Sequence, residues 1–248
     1  MENDASYFVL LLTLAFVASM LSSLYARKRR KPLIVRPIRG YAVMPAKSDE
    51  AIESDRRLHI SLGAAAVGQS STIVALAALT LVREMARRQA FTKQMPLVTV
   101  TDSVTLAAVQ DALQRTYRSF NNLEAFDART VIWYPRGERS LAFGAGVAEL
   151  NAREPISTNI MVGVFGAELA YVADVSARRD RLFIGHSTLL EGQAIAYAFS
   201  EASLIGEELF VGDAYLDPES SFAAGRLLTL DILRWFVIGV IILVALLN

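Results

Sequence analysis

The most suggestive motif in the sequence is a glycine-bounded stretch at residues 63–70, which reads GAAAVGQS. Its spacing is that of a phosphate-binding loop, but Gln69 stands where such a loop needs Lys to neutralise phosphate charge. Backbone N–H groups at a helix start could still hold an anion. The alternative is that Gly63, Gly68 and Ser70 serve only a tight, closely packed turn. The motif therefore marks a candidate anion site at which we do not expect NTP hydrolysis.

A second motif begins like a nucleophile elbow at Gly185, His186 and Ser187. Leu189 replaces the second Gly that the strained turn of an elbow requires. His186 and His59 are the two His residues of the chain, and two His without Cys make a poor zinc set. A Ser-His-acid triad would need a distant partner that the sequence does not identify. We therefore predict no catalytic residue, no metal site and no cofactor.

Three acidic residues follow the ends of predicted strands, namely Asp102, Glu168 and Glu191. In open parallel sheets, ligands bind at the carboxyl ends of the strands. Acids also favour helix N-termini, where they cap N–H groups and complement the macrodipole, and capping is the commoner explanation for any one acid. Taken together, the candidate ligand-binding residues are Gly63, Gly68, Ser70, Asp102, Gly163, Gly166, Glu168, Gly185, His186, Ser187 and Glu191.

Alternating strand and helix patterns must position these residues. We predict strands at 58–62, 96–101, 130–134, 156–165 and 182–185, and helices at 71–89, 103–120, 141–151, 167–177 and 190–200, with a loop or short helix at 204–215. Right-handed crossovers between such strands give a mostly parallel sheet with helices on both faces. The predicted fold class is α/β, a single Rossmann-like, doubly wound domain over residues 58–226.

The N-terminal segment predicts a membrane anchor. Residues 7–25 carry no charge, and about 19 residues at 1.5 Å each can cross a bilayer core of roughly 30 Å. A cleaved signal peptide is the alternative, but its charge would precede a shorter apolar run. The basic run at 27–31 follows the span, so the positive-inside rule places residues after it in the cytoplasm. We predict a transmembrane helix at 1–26 and a basic juxtamembrane segment at 27–57.

Three Pro residues bear on that juxtamembrane segment. Pro32, Pro37 and Pro45 disfavour a continuous helix between the first span and the predicted domain. The basic run is suited to anionic lipid headgroups, although a stop-transfer signal alone accounts for it equally well.

The C-terminal segment predicts a second anchor at 229–248. Residues 232–247 carry Arg234 as their only charge, and its long stem can reach the interface. The alternative, a buried core helix, fits less well because 237–247 is apolar on every face. Two spans return the chain to its starting side. We therefore expect a bacterial inner-membrane protein with a cytoplasmic domain and both termini on the outer side.

Composition narrows the function classes. Lys and Arg together number 25, as do Asp and Glu, so the net charge is zero and a nucleic-acid partner is not expected. The chain has no Cys, which excludes disulfides, thiolate metal sites and Cys nucleophiles. The hydrophobic fraction of 53% exceeds the usual 45–50% or so of soluble domains, and much of the excess lies in the two terminal segments.

Several short stretches carry a family resemblance. They read VGVFGAE at 162–168, EGQA at 191–194 and IGEELF at 205–210, with LGA at 62–64 as an earlier piece. In these stretches the chain resembles a prokaryotic two-span membrane protein family whose domain has no known function, and the resemblance extends over nearly the whole domain. It implies a membrane-anchored cytoplasmic α/β domain and carries no activity or catalytic residues.

Three functions are consistent with these observations. The first is a non-enzymatic scaffold that self-associates or assembles partners at the membrane, with the lipid bilayer and a homo-oligomer or other membrane proteins as partners. The second is a small-molecule or nucleotide-binding domain, possibly enzymatic, that uses the carboxyl edge of the sheet. The third is an accessory subunit of a membrane complex. Because no catalytic constellation is complete, we expect the first.

Overall fold

The computed structural model describes residues 36–135, 141–217 and 221–247, together with isolated positions at 13, 17, 20, 21, 24 and 25. The chain divides into two compact units. One unit is Pro37–Gly212, and the other combines Met1–Arg36 with Asp213–Asn248. The predicted first span and the basic run after it lie almost entirely outside the described residues.

A five-stranded parallel sheet forms the centre of the Pro37–Gly212 unit, in the order β3-β2-β1-β4-β5. Its strands are β1 (Arg57–Gly63), β2 (Leu97–Val100), β3 (Val131–Trp133), β4 (Ile156–Val164) and β5 (Leu182–Ser187). This order and the uniformly parallel pairing confirm the α/β, Rossmann-like prediction. The chain reverses its direction of travel across the sheet between β1 and β4, which is the topological switch point of such folds.

Helices alternate with these strands along the chain. They are α1 (Arg39–Glu53), α2 (Thr72–Gln89), α3 (Ser103–Ser119), α4 (Leu141–Arg153), α5 (Leu169–Arg178), α6 (Leu190–Phe199), α7 (Gly212–Leu216) and α8 (Ser221–Leu247), with 3-10 turns at Leu123–Ala125, Ala128–Thr130 and Gly206–Val211. The predicted helices from 71 to 200 are confirmed, and the segment 204–215 contains the expected short helical turns.

The strands bury nearly every side chain, as parallel strands covered on both faces do. On one face, Phe143 and Val147 of α4 and Leu169 of α5 pack with Met161 and Phe183 of the sheet. Side chains alternate along a strand, so the residues between these point to the opposite face. There α1 and α2 contact β1 and β4, while α3 contacts β2 and β3.

A chain of buried polar side chains crosses the middle of this sheet. His59 Nδ1 lies 2.8 Å from Asn159 Oδ1, and His59 Nε2 lies 3.0 Å from Thr99 Oγ1. Asn159 Nδ2 donates to Ser176 Oγ at 2.9 Å, so its Oδ1 accepts and His59 Nδ1 carries the proton. Complete burial lowers the pKa of His59 to about 4, because the apolar surroundings disfavour its charged form. His59 is therefore a neutral, hydrogen-bonded core residue.

Helix α1 differs from the sequence-based expectation. It runs through Pro45 without a break, although the Pro residues disfavoured a continuous helix there. Proline removes the hydrogen bond to the carbonyl four residues earlier, at a penalty of about 3 kcal/mol. Burial of Tyr41, Met44 and Ala51 offsets that penalty, because α1 packs on the sheet as part of the α/β unit. The packing of α1 on the sheet therefore outweighs the helix-breaking tendency of Pro45.

The outer edge of β5 is covered by side chains and backbone from the segment that follows it. Ser200 Oγ donates to Phe183 O at 2.6 Å, and Leu204 N donates to Gly185 O at 3.0 Å. Ser187 N donates to Gln193 Oε1 at 2.9 Å. One outward backbone group at each of three alternate positions of this edge strand is thus bonded within the chain.

The predicted second span falls within α8, which is 27 residues long. Among the residues that the structure describes, no helix has both the length and the apolar character needed to cross a membrane.

Candidate functional site

Most candidate residues lie at the carboxyl edge of the sheet, in the loops that follow β1, β2, β4 and β5. The structure separates them into two groups. One group surrounds the loop between β1 and α2, and the other surrounds the ends of β4 and β5.

The loop after β1 turns sharply at Gly63, whose φ is +57°. A Cβ at this position would lie 2.4 Å from Val164 O and 2.5 Å from the Phe165 ring, so only glycine fits. Gly68 also has a left-handed φ of +85°, but open space surrounds it. Ser70 is exposed beside it. The explanation by tight turn and close packing is therefore confirmed for Gly63.

Three backbone N–H groups of this loop donate to hydroxyl groups of the chain itself. The donors Ala66 N, Val67 N and Gly68 N bond to Ser71 Oγ, Thr105 Oγ1 and Thr72 Oγ1 at 3.0, 3.0 and 2.9 Å respectively. In a phosphate-binding loop, such successive N–H groups point at phosphate oxygens. Here hydroxyl oxygens take that place, so these three N–H groups are already bonded within the chain.

Asp102 acts as the N-cap of α3. Its Oδ2 accepts from Thr105 N at 2.8 Å and from Thr105 Oγ1 at 2.9 Å. Because Thr105 Oγ1 also accepts from Val67 N, one hydroxyl links the loop after β1 to the cap of α3. The capping explanation is confirmed for this acid.

Two of the candidate glycines allow close packing. A Cβ on Gly163 would lie 2.0 Å from Leu62 O, where β4 and β1 run side by side. A Cβ on Gly185 would lie 2.7 Å from Ala196 Cβ, where α6 crosses β5. Both glycines lie inside strands rather than in loops, so neither opens toward a ligand.

Ser187 is a structural cross-link. Its Oγ donates to Phe165 O at 2.7 Å and accepts from Phe165 N and Leu189 N, both at 3.0 Å. The hydroxyl is therefore fully engaged with backbone groups, and Ser187 lies in β5 rather than on an exposed turn.

His186 does not assist Ser187. Its Nε2 lies 3.0 Å from Gly206 O and therefore donates its proton to that carbonyl. Burial lowers the pKa of His186, and the bond to Gly206 O opposes that change only in part. Because successive side chains of a strand point to opposite faces, His186 and Ser187 form no nucleophile–base pair.

The remaining acids converge beside Gly166. Glu168 is buried, and its Oε1 accepts from Gly166 N at 2.8 Å. A Cβ on Gly166 would lie 2.8 Å from Glu168 Oε2 and 3.0 Å from Glu191 Oε1, so the two carboxylates border the same small space. In the described part of the chain, no group of three or more His, Cys, Asp or Glu could hold a metal ion.

The hydroxyl groups that close the β1–α2 loop were missed by reasoning from the sequence. Ser71 and Thr72 belong to the run QSST, which also reads as a helix start, and Thr105 lies 38 residues from its partner Val67. The run of hydroxyl residues directly after a glycine loop was the available signal. The contribution of Thr105 depends on the pairing of β1 with β2 and required the fold.

Comparison with known protein families identifies a match over nearly the whole chain. A family described as "Domain of unknown function (DUF6754)" matches residues 2–248. No curated protein and no solved structure matches the chain.

Proposed function

The chain belongs to the DUF6754 family, a domain of unknown function, and we propose that it is a membrane-anchored, non-enzymatic assembly module whose α/β unit self-associates. The proposal rests on the outer face of α6, which is apolar and exposed. The closed carboxyl edge of the sheet and the apolar terminal segments support its other parts.

The outer face of α6 has the character of a helix–helix interface. Leu190 is 86% exposed and Tyr197 is 68% exposed, and Ala194 and Ala198 are exposed between and beside them. These four residues follow the spacing i, i+4, i+7 and i+8, which places them on one side of a helix. Glu191 is the only charged residue in α6. Large apolar side chains that are exposed to solvent in this pattern are typical of association surfaces.

The same face is complementary to itself about a two-fold axis. If two copies of α6 pack antiparallel with Ala194 at the crossing point, Leu190 of each copy meets Ala198 of the other. A large side chain then faces a small one on both sides of the axis, as close helix packing requires. Symmetric dimers of this kind are the commonest assemblies of soluble domains. Phe199 and Ile205 are also exposed nearby in the sequence and would extend the apolar area.

The carboxyl edge of the sheet supports a non-enzymatic role. The loop donors are bonded to hydroxyls of the chain, and the Ser187 hydroxyl is bonded to backbone. An active site needs donors and nucleophiles directed at a substrate. At this edge the same groups hold neighbouring loops together.

Membrane anchoring is supported by the terminal segments. Residues 7–25 are uncharged, and residues 232–247 hold one charge. Four consecutive side chains of α8, from Trp235 to Ile238, are exposed, with Trp235 at 72%. Since successive helical residues are about 100° apart, these four surround the helix, and a bilayer would cover all of them. We place the α/β unit in the cytoplasm of a bacterial cell, by the basic run at 27–31.

The test measures the oligomeric state of the full-length chain. In nonionic detergent, we expect a dimer by light scattering, and we expect Ala194→Glu to convert it to a monomer. Ala177→Glu places the same charge on an exposed position of α5 and is expected to leave the dimer intact. Because the chain has no Cys, Ala194→Cys introduces a unique thiol that should form a disulfide across the axis. A monomeric wild type without cross-linking at position 194 would contradict the proposal.

A further inference from the structure

Three buried polar side chains of the α/β unit have atoms without a hydrogen-bond partner in the described part of the chain. They are Ser48 of α1, Gln89 of α2 and Thr158 of β4, and each is 0% exposed. The unpaired atoms are Ser48 Oγ, Thr158 Oγ1 and both Nε2 and Oε1 of Gln89. Because buried polar groups in folded proteins are nearly always hydrogen-bonded, these atoms require an explanation.

The three side chains lie on the same side of the sheet. Asn159 and Met161 of β4 point toward α5, where Asn159 Nδ2 bonds to Ser176 Oγ and Met161 joins the core beneath that helix. Side chains alternate along a strand, so Thr158 points to the opposite face, which α1 and α2 cover. The unpaired residues of α1 and α2 belong to the buried sides of these helices. Each of α1, α2 and β4 contacts the other two.

They also lie toward the same end of the sheet. Thr158 pairs with the second residue of β1, so it is near the amino edge. Ser48 lies in the last two turns of α1, which leads directly into the start of β1. Gln89 is the last residue of α2, which returns from the carboxyl end of β1 toward the amino end of β2. Gln94 Nε2 donates to Asp55 Oδ1 at 2.6 Å and ties together the segments that follow the two helices.

The unpaired atoms include both donors and acceptors. The amide of Gln89 offers two N–H donors and an acceptor oxygen, and each hydroxyl can donate once and accept twice. A metal cation would bind the oxygens and leave the amide N–H groups unpaired, whereas an anion would leave the amide oxygen unpaired. Water both donates and accepts hydrogen bonds, so it is the ligand that complements this mixed set.

We propose that Ser48, Gln89 and Thr158 form a buried hydration site that joins α1 to α2 and β4. Buried waters typically make about three hydrogen bonds to protein groups that would otherwise be unsatisfied, and their removal is costly. Each of the three elements supplies at least one of these bonds, so water completes the contact of α1 with the rest of the α/β unit. The proposal depends neither on self-association nor on membrane anchoring.

Water at this site is detected through the side-chain amide of Gln89. The full-length chain carries isotope-labelled glutamine and is held in nonionic detergent at mildly acidic pH, where amide exchange is slow. We expect NOE cross-peaks between this amide and water, with the sign that long-lived water gives. The signal is assigned from the backbone resonances of Gln89 and by its absence in Gln89→Met.

Gln193 is the matched control for this measurement. Its Nε2 donates to Leu204 O at 3.0 Å, and its Oε1 accepts from Ser187 N at 2.9 Å. Both ends of the amide are therefore bonded within the chain. We expect no cross-peak from long-lived water at Gln193.

Apolar replacements test whether the three groups share one site. Ser48→Ala, Gln89→Met and Thr158→Val each remove one partner and leave the others incompletely bonded, so each should lower the free energy of unfolding. The triple variant has no polar group left to satisfy, so its loss should be smaller than the sum of the three single losses. Thr116→Val on α3 is the control, because that buried hydroxyl donates to Ala112 O in its own helix. Its loss should add to that of Ser48→Ala.

Three results would overturn the proposal. Additive losses without a water cross-peak at Gln89 would show that the groups are separate and not hydrated. Non-additive losses without the cross-peak would show direct bonds among the three side chains. A cross-peak with additive losses would show that Gln89 binds water without the other two residues. If a variant does not fold, the cross-peak in the wild-type chain still decides whether this amide binds water.

Discussion

The carboxyl edge of the sheet and the outer face of α6 differ in whether their side chains are bonded within the chain or exposed to solvent. At the edge, N–H groups, hydroxyls and an acid are bonded to one another across loops that are far apart in the sequence. On the outer face of α6, by contrast, the side chains of Leu190 and Tyr197 are exposed to solvent. The difference supports the proposal that the carboxyl edge has a structural role and that association uses the outer face of α6.

The largest loss of stability should come from a side chain added at the junction of β1 and β4. Gly63→Ala places a Cβ 2.4 Å from Val164 O in a left-handed conformation. Overpacking of about 1–3 kcal/mol and left-handed strain of about 1–2 kcal/mol together lower the free energy of unfolding by about 4 kcal/mol. Gly68→Ala shares the left-handed φ without the clash and should lower it by only about 1–2 kcal/mol. Chemical denaturation measures both, and equal effects would show that the junction is not tightly packed.

Acid should lower the free energy of unfolding through His59 in the buried chain of polar side chains. The folded-state pKa is about 4 and the ordinary value is 6.5, so between these values the unfolded chain binds the proton and the folded chain does not. Stability from this group is complete above pH 6.5 and is lost as the pH falls to about 4. The loss is roughly 3 kcal/mol at 1.36 kcal/mol per pKa unit.

The control for this prediction is His59→Gln. It cannot titrate, so its unfolding free energy should start lower but fall less steeply between pH 6.5 and 4. Parallel slopes for wild type and variant, measured by denaturation at a series of pH values, would show that His59 is not the group responsible.

The smallest effect should come from one hydroxyl at the carboxyl edge. Thr105→Val leaves Val67 N without its acceptor and should reduce the unfolding free energy by about 1–3 kcal/mol, the usual penalty for an unsatisfied donor. Thr80→Val removes a hydroxyl that donates to Leu76 O within its own helix, so a change within about 0.5 kcal/mol is expected. Similar losses in both variants would contradict the distinction between the edge and the helix surface.

The sequence predicted the elements and their class because hydrophobic patterning is local. Alternation of apolar strands with amphipathic helices identified the parallel sheet, and capping was the commoner explanation for Asp102, which is the N-cap of α3. It failed at α1, because the burial of Tyr41 and Met44 that carries the helix past Pro45 depends on packing against the sheet.

The sequence predicted that the candidate residues lie at the carboxyl edge of the sheet, but it did not predict their hydrogen-bond partners. Glycine spacing located the turn at Gly63, yet spacing cannot show that hydroxyls such as that of Thr105 would fill the loop. The ring of His186 and the hydroxyl of Ser187 are adjacent in sequence but bonded to different segments. Such relationships arise from strand order and side-chain direction, which no local pattern encodes.

The covered edge of β5 limits how this protein can assemble. An open edge strand can recruit a strand from another molecule, and repeated recruitment leads to runaway polymers and amyloid-like aggregation. Because Phe183 O, Gly185 O and Ser187 N are already bonded within the chain, fewer backbone groups remain for strand addition at this side of the sheet. In the dimer that we propose, the contact would be made by side chains of α6 rather than by adding a strand at β5.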